Sequence, residues 1–247
     1  MRLDSNEVEE LAKALCVRAL KLLPPDVKRG FERLTRAETD ATARTILGTM
    51  VENIAVAERT NNLLCQDTGI PIYNVTIGRN VVFDGVAMTQ AIRRGCERAT
   101  REHPLRSSVV HPITRRNEQT SCGIRIPIIN VDFDDRDETV AIEMIPKGSG
   151  SENGSFLQML IPADGVGAVK RFIIDRVIEL GGRVCPPTIV GVGIGPQGLG
   201  GRSTAFRVHV EVAATHITMN PVAVNMQCHS ARRASATITA GGVAYGF

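Results

Sequence analysis

Residues 124–133, IRIPIINVDF, and residues 139–145, TVAIEMI, are two apolar runs rich in Ile and Val that flank the acidic stretch Asp134-Asp135-Arg136-Asp137. Length, β-branched content and the polar break between them predict two strands joined as a hairpin. Upstream the hydrophobic period changes. Val8, Leu11, Ala12, Leu15, Ala19, Leu22 and Leu23 recur at three- and four-residue spacings, the stripe of an amphipathic helix over residues 6–23 that stops before Pro24-Pro25, with Cys16 at its edge. Thr35-Arg36-Ala37-Glu38 has the form of a capping box and predicts a second helix carrying Ala43, Ile46, Leu47, Met50, Val51 and Ile54 on one face as far as Asn61-Asn62. Residues 70–77 and 80–83 are strand-like, and a helix starts near Asp84 with Met88, Ile92, Cys96 and Ala99 on one face, which makes Cys96 a core residue.

Downstream, Val166, Val169, Ile173 and Val177 give residues 164–180 a helical period, ended by Gly181-Gly182 and followed by an apolar strand over 188–192. Phe206, Val208, Val210 and Val212 alternate with Arg207, His209 and Glu211, the period of a half-buried strand. No repeat, low-complexity tract or linker interrupts the chain. The expected fold is α+β (mixed α/β), N-terminal helices followed by a strand-rich part. It is expected as one domain over 1–247, helical to residue 62 and mixed from 63 onward.

Composition narrows the function classes. With 43% apolar residues a sizeable core is available to the 247-residue chain. The 29 Lys plus Arg and 26 Asp plus Glu are intermixed, aromatics are 4% and Trp is absent, which argues against a nucleic-acid surface. The N-terminus has no apolar signal region and no run is long enough to span a bilayer, so a cytosolic protein is expected. Six cysteines in such a context read as reduced thiols rather than a disulfide framework.

Three of these cysteines stand beside glycine, proline or polar loop signals: Cys65 in LLCQDTG (63–69), Cys185 in CPPTIVGVGIG (185–195) and Cys228 in NMQCHSARR (225–233). Their spacing is unlike zinc knuckles or ferredoxin runs, so the residues alone leave two readings open: buried free thiols, or ligands converging on a metal. Gln66-Asp67-Thr68-Gly69 is equally open between a polar turn and a functional segment. Gly193-Ile194-Gly195-Pro196-Gln197-Gly198 fits G-x-G-x-x-G and raises a nicotinamide-dependent oxidoreductase as a competing class. The Leu-Gly-Gly that follows opens a helix poorly and no complete βαβ unit surrounds it, so the match is read as a decoy.

Taken in order, LLCQDTG, LRSSVVHPITRRN (105–117), PKGSGSEN (146–153), CPPTIVGVGIG, GPQGLGG (195–201), HVEVAATHITMNPVAV (209–224) and NMQCHSARR resemble the alpha region of class I fumarases and two-subunit L-tartrate dehydratases over essentially the whole chain. That resemblance implies a hydro-lyase acting on a small dicarboxylate, with Cys65, Cys185 and Cys228 holding a [4Fe-4S] cluster whose fourth iron is open for Lewis-acid chemistry. It implies Asp67 and His216 in proton chemistry, and Gln66, Arg106, Gly148, Ser149, Gly150 and Asn153 around the substrate, where a guanidinium fork and backbone N–H groups suit carboxylates. His229, beside Cys228, would be an outer neighbour of the cluster, while His103, His111, His209, Arg115 and Arg116 carry no implied role.

The KGSGSEN loop favours fumarate to malate as the reaction, with L-tartrate or a related 2-hydroxydicarboxylate as the alternative. One departure stands out. A helical segment that normally separates GVGIG from GIGPQG is missing, the two motifs being fused in residues 191–198, which adds a shortened non-catalytic cluster-binding homologue as a third reading. The family's beta region, with its catalytic base, would follow the point where this sequence ends. A separately encoded beta subunit and a dimer of heterodimers are therefore expected.

Overall fold

The computed structural model describes residues 1–65, 67–148, 154–184, 186–196, 206–213 and 233–246. Along the chain these form α1 (Ser5–Lys21), α2 (Pro25–Ala37), α3 (Ala41–Thr60), β1 (Ile70–Arg79), α4 (Gly85–Glu102), β2 (Ile128–Asp137), β3 (Val140–Lys147), β4 (Ser155–Leu160), α5 (Gly165–Leu180), β5 (Ile189–Pro196), β6 (Phe206–Ala213), β7 (Ala234–Thr239) and β8 (Gly242–Gly246). The architecture is α+β, as expected. Two compact units are distinguished, Met1–Lys147 with Arg232–Phe247, and Gly148–Ala231.

In the first unit, α1 and α4 share one design. Asp4 and Asp84 cap them, accepting backbone N–H groups of Asn6 at 3.0 Å and of Val86 and Ala87 at 2.8 and 3.1 Å. Each helix then buries one apolar face, Val8, Leu11, Ala12, Leu15 and Ala19 on α1 against Met88, Ala91, Ile92, Cys96 and Ala99 on α4. Gly95 permits their contact, since a Cβ there would lie 2.4 Å from the Glu9 carbonyl oxygen.

Beneath the helices lies a five-stranded sheet of order β2-β1-β3-β7-β8. Its registers stack buried side chains in rows: Tyr73, Met144 and Ala234; Val75, Ile142 and Ala236; Ile77, Val140 and Ile238. This is the two-residue period of strands buried on one face. The Tyr73 hydroxyl crosses the layer and donates to the Ala12 carbonyl at 2.9 Å, and burial pushes its pKa well above the usual phenol range.

The hairpin expected over 124–145 does not form. Both runs contribute strands, the first only from Ile128 onward, but β2 pairs parallel with β1 and β3 pairs antiparallel with it, so β1 lies between them. The acidic stretch 134–137 belongs to β2, an edge strand whose charges discourage further pairing. The link at Glu138-Thr139 passes over the end of β1, where the Gly78 N–H donates to the Thr139 carbonyl at 2.7 Å. Only glycine fits beneath it: a Cβ on Gly78 would sit 2.2 Å from the Arg136 carbonyl oxygen.

Two further boundaries differ from expectation. Thr35 is not a cap; it lies inside α2 and donates to the Phe31 carbonyl at 2.9 Å, while Asp40 caps α3 through Ala43 N–H at 2.8 Å. Of the stripe expected on that helix Leu47 is buried, whereas Ile46 and Val51 are exposed. Residues 80–83 form no strand, only a bridge between Val82 and Arg2.

In the second unit β4, β6 and β5 form an antiparallel sheet, and Leu160, Val169, Phe172, Leu180 and Val184 make its core with α5. The Arg176 guanidinium lies 5.5 and 5.7 Å from the centres of the Phe156 and Phe172 rings.

Gly78→Ala is expected to lose about 1–3 kcal/mol in urea denaturation through overpacking. Gly48→Ala, in the exposed middle of α3 with open space around it, should gain about 0.5–1 kcal/mol. Equal effects at the two positions would contradict the crossing at Gly78.

Candidate functional site

Three segments meet at one end of the five-stranded sheet, where β1 begins and β3 ends. The first runs from the C-terminus of α3. Asn61, in the left-handed conformation, ends that helix with Asn62 N–H donating to the Ala57 carbonyl at 2.8 Å. Leu64 is then pinned through both backbone groups, its N–H to the Leu20 carbonyl at 3.1 Å and its carbonyl from the Asn53 amide at 3.2 Å. Cys65 follows directly, so its thiol is exposed on a fixed stem.

Local hydrogen bonds shape the turn that continues into β1. The Asp67 N–H donates to the Cys65 sulfur at 3.4 Å, and Asp67 Oδ1 accepts the Gly69 N–H at 3.2 Å, the self-bonded turn that Asp favours. Gly69 has φ +68°, the left-handed conformation glycine adopts without strain.

The second segment carries Arg106. Thr68 Oγ1 donates to the Arg106 carbonyl, and Ser108 Oγ donates to Asp67 Oδ1 at 3.3 Å, so residues 67–68 and 106–108 are tied by two side chains. Ser107, buried between them, accepts the Asn117 amide on its carbonyl at 2.8 Å and the Ser121 N–H on Oγ at 3.1 Å. The Arg106 side chain is exposed.

The third segment is the end of β3. Lys147 pairs in register with Ile70 and is 6% exposed, an unusual burial for lysine. Gly148 follows it in the chain. Lys147 and Ser108 lie within PKGSGSEN and LRSSVV yet carried no expected role; burial and a bond to Asp67 are tertiary facts that their motifs do not display.

Of the residues expected at the site, the structure gathers Cys65, Asp67 and Arg106, while Gly148 is the first residue of the second unit. Gln66, Ser149, Gly150, Asn153, Cys185, His216 and Cys228 lie outside the described residues. Among the described residues no group of three or more His, Cys, Asp or Glu could hold a metal. Cys65 is a suitable single donor: it is exposed, and its sulfur is oriented by the Asp67 backbone N–H. His111 instead closes a local turn, its Nδ1 accepting the N–H groups of Ile113 and Thr114 at 3.3 and 3.1 Å. His103 is held below the usual imidazole range by burial and then by Lys21 and Lys13.

The glycines of G-x-G-x-x-G form no dinucleotide loop within the described residues. Gly193 and Gly195 are extended in β5, opposite His209 and Arg207 of the antiparallel β6, whereas a pyrophosphate loop needs a tight turn into a helix.

Comparison with known proteins gives this chain its class. A Methanocaldococcus jannaschii protein named "Putative L(+)-tartrate dehydratase subunit alpha" is 34% identical over 274 aligned positions, covering 92% of this chain and 96% of the relative. L(+)-tartrate dehydratase subunit alpha of Escherichia coli is 26% identical over 279 positions, covering 95% and 92%. The protein is a hydro-lyase chain. It belongs to the Fumarate hydratase (Fumerase) family, whose model matches residues 9–195 and 193–237. Those two matched stretches share residues 193–195, and the alignments exceed the 247 residues of the chain, so both open gaps in it.

Thr68→Val keeps the shape of the side chain but removes its bond to Arg106. Urea melts should show a loss of about 0.5–1.5 kcal/mol; an unchanged midpoint would mean that the two segments are not held by this bond.

Proposed function

We propose that this chain is the cluster-binding alpha-type subunit of a [4Fe-4S]-dependent hydro-lyase that removes water from a 2-hydroxydicarboxylate, working with a separately encoded beta subunit in a dimer of heterodimers. The observation that carries the reading is the tie between residues 67–68 and 106–108, which sets the exposed Cys65 thiol, the Asp67 carboxylate and the Arg106 segment at one sheet end.

In this reading Cys65, Cys185 and Cys228 hold the cluster, which when bound supplies an open iron as Lewis acid toward the departing hydroxyl. Arg106 binds a substrate carboxylate through its planar fork. Gln66 and the residues Gly148, Ser149, Gly150 and Asn153 complete the substrate cradle. Asp67, already fixed by Gly69 and Ser108, orients the base that the beta subunit contributes, and His216 orients or protonates a carboxylate. The two compact units act together as one hydro-lyase part.

On substrate, both named relatives are tartrate dehydratase alpha subunits, which supports L-tartrate; the family description supports fumarate and malate as the second reading.

Anaerobic co-expression with the beta subunit, followed by iron and sulfide analysis and assays on L-tartrate, fumarate and malate, tests the proposal. Cluster and turnover on one of these acids are expected. A loaded complex inert toward all three would overturn the enzymatic reading in favour of a non-catalytic homologue. Cys65→Ser, Cys185→Ser and Cys228→Ser should each lose iron while Cys96→Ser, in the core, retains it. Asp67→Asn should keep the cluster but lower kcat by about 10²–10⁴-fold, and Arg106→Ala should act chiefly on KM.

A further inference from the structure

Three cysteines that the proposed site does not use are gathered in the first unit. Cys16 on α1 and Cys96 on α4 are buried in the layer above Tyr73, and Cys122 lies half-buried in the segment after α4. The contacts of the last two cross: the Cys96 sulfur is 3.9 Å from the Ser121 carbonyl oxygen, and the Cys122 sulfur is 3.6 Å from the Arg93 carbonyl oxygen, one helical turn before Cys96. Arg93 also donates from its guanidinium to the Gly123 carbonyl at 2.8 Å, and Thr120 Oγ1 accepts the Cys122 N–H at 3.1 Å, so both sides of the pair are clamped.

The two thiols are unlike. A hydrogen bond with Cys96 holds the Cys122 thiol below its usual range, with the Arg93 charge assisting against burial, while hydrogen bonding to Cys122 and Cys16 and then burial push Cys96 well above. The half-exposed member is thus the better thiolate, and the buried one a protonated neighbour.

We propose that Cys122 and Cys96 form an oxidative modification site, Cys122 reacting with a hydroperoxide and Cys96 closing a disulfide with it. The Cys122 thiolate attacks the peroxide oxygen; the O–O bond breaks, an alcohol or water leaves with a proton, and a sulfenic acid forms. The Cys96 sulfur attacks the sulfenic sulfur, and hydroxide departs with the Cys96 proton as water. Two thiols lose two electrons and two protons, all taken up by the one hydroperoxide. Ser121, next to Cys122, donates to Ser107 Oγ at 3.1 Å, and Ser107 stands between Arg106 and Ser108, so the bond is made in the segment that supports the candidate site. The modification itself does not depend on the hydro-lyase reading; an effect on turnover does.

Full-length chain purified anaerobically, exposed to hydrogen peroxide, trapped with dimedone and mapped by non-reducing peptide mass spectrometry provides the test. A Cys96–Cys122 linked peptide is expected, removed by dithiothreitol, absent in Cys122→Ser and retained in Cys16→Ser. Cys96→Ser, or Cys96→Ala should the serine variant not fold, should instead accumulate a dimedone adduct at Cys122. Absence of the linked peptide in the wild type while Cys65 is labelled, or a bond joining Cys16 to Cys96, would overturn the proposal. Because the readout is covalent, its failure is separate from any failure of turnover.

Discussion

The buried face of β1 is the constraint on which the first unit rests. Tyr73, Val75 and Ile77 point into the layer filled by α1 and α4, and each is extended across the sheet by a partner on β3 and then β7. A slip of one residue would turn the whole row to the opposite face, and the Tyr73 hydroxyl bonded to Ala12 sets the height of α1 above that row. Burial on the scale of several large side chains, at roughly 1.5–3 kcal/mol each, makes this register far more costly to disturb than any of the surface ion pairs at the helix rim, such as Arg94 with Glu9.

The candidate site inherits its geometry from that strand. Because Ile70 is paired with Lys147, the turn carrying Cys65 and Asp67 and the chain leading to Gly148 start from the same sheet end. The Arg106 segment is then joined by short side-chain bonds from Thr68 and Ser108 rather than by secondary structure. A rigid sheet end with irregular segments fastened to it is a common way to place reactive groups, since loops leave side chains free to face a ligand while the scaffold limits their movement.

Much of the fold was legible in the periodicities. The stripes beginning at Val8 and Met88 became α1 and α4, and the alternation beginning at Phe206 became β6. The failures have physical causes. The capping pattern at Thr35 was outcompeted by Pro25, a favoured first residue for an earlier helix, with Asp40 as the true cap. The hairpin failed because adjacent strands in sequence need not pair when a glycine such as Gly78 lets the link cross an intervening strand. On α3 the apolar period revealed a face, but period says nothing about what covers it.

The site divides in the same manner. Ordered motifs alone carried the family, the cysteine and carboxylate candidates, and the fused glycine word that reappears where the two matched stretches overlap. What they determine is local: which residues are turn-formers, donors or apolar. The bond from Ser108 to Asp67, the burial of Lys147 and the crossing of Cys96 with Cys122 join positions dozens of residues apart. Only tertiary packing decides these, because long-range proximity follows from which strands share a register and which helices and loops pack beside them, and no local pattern encodes that choice.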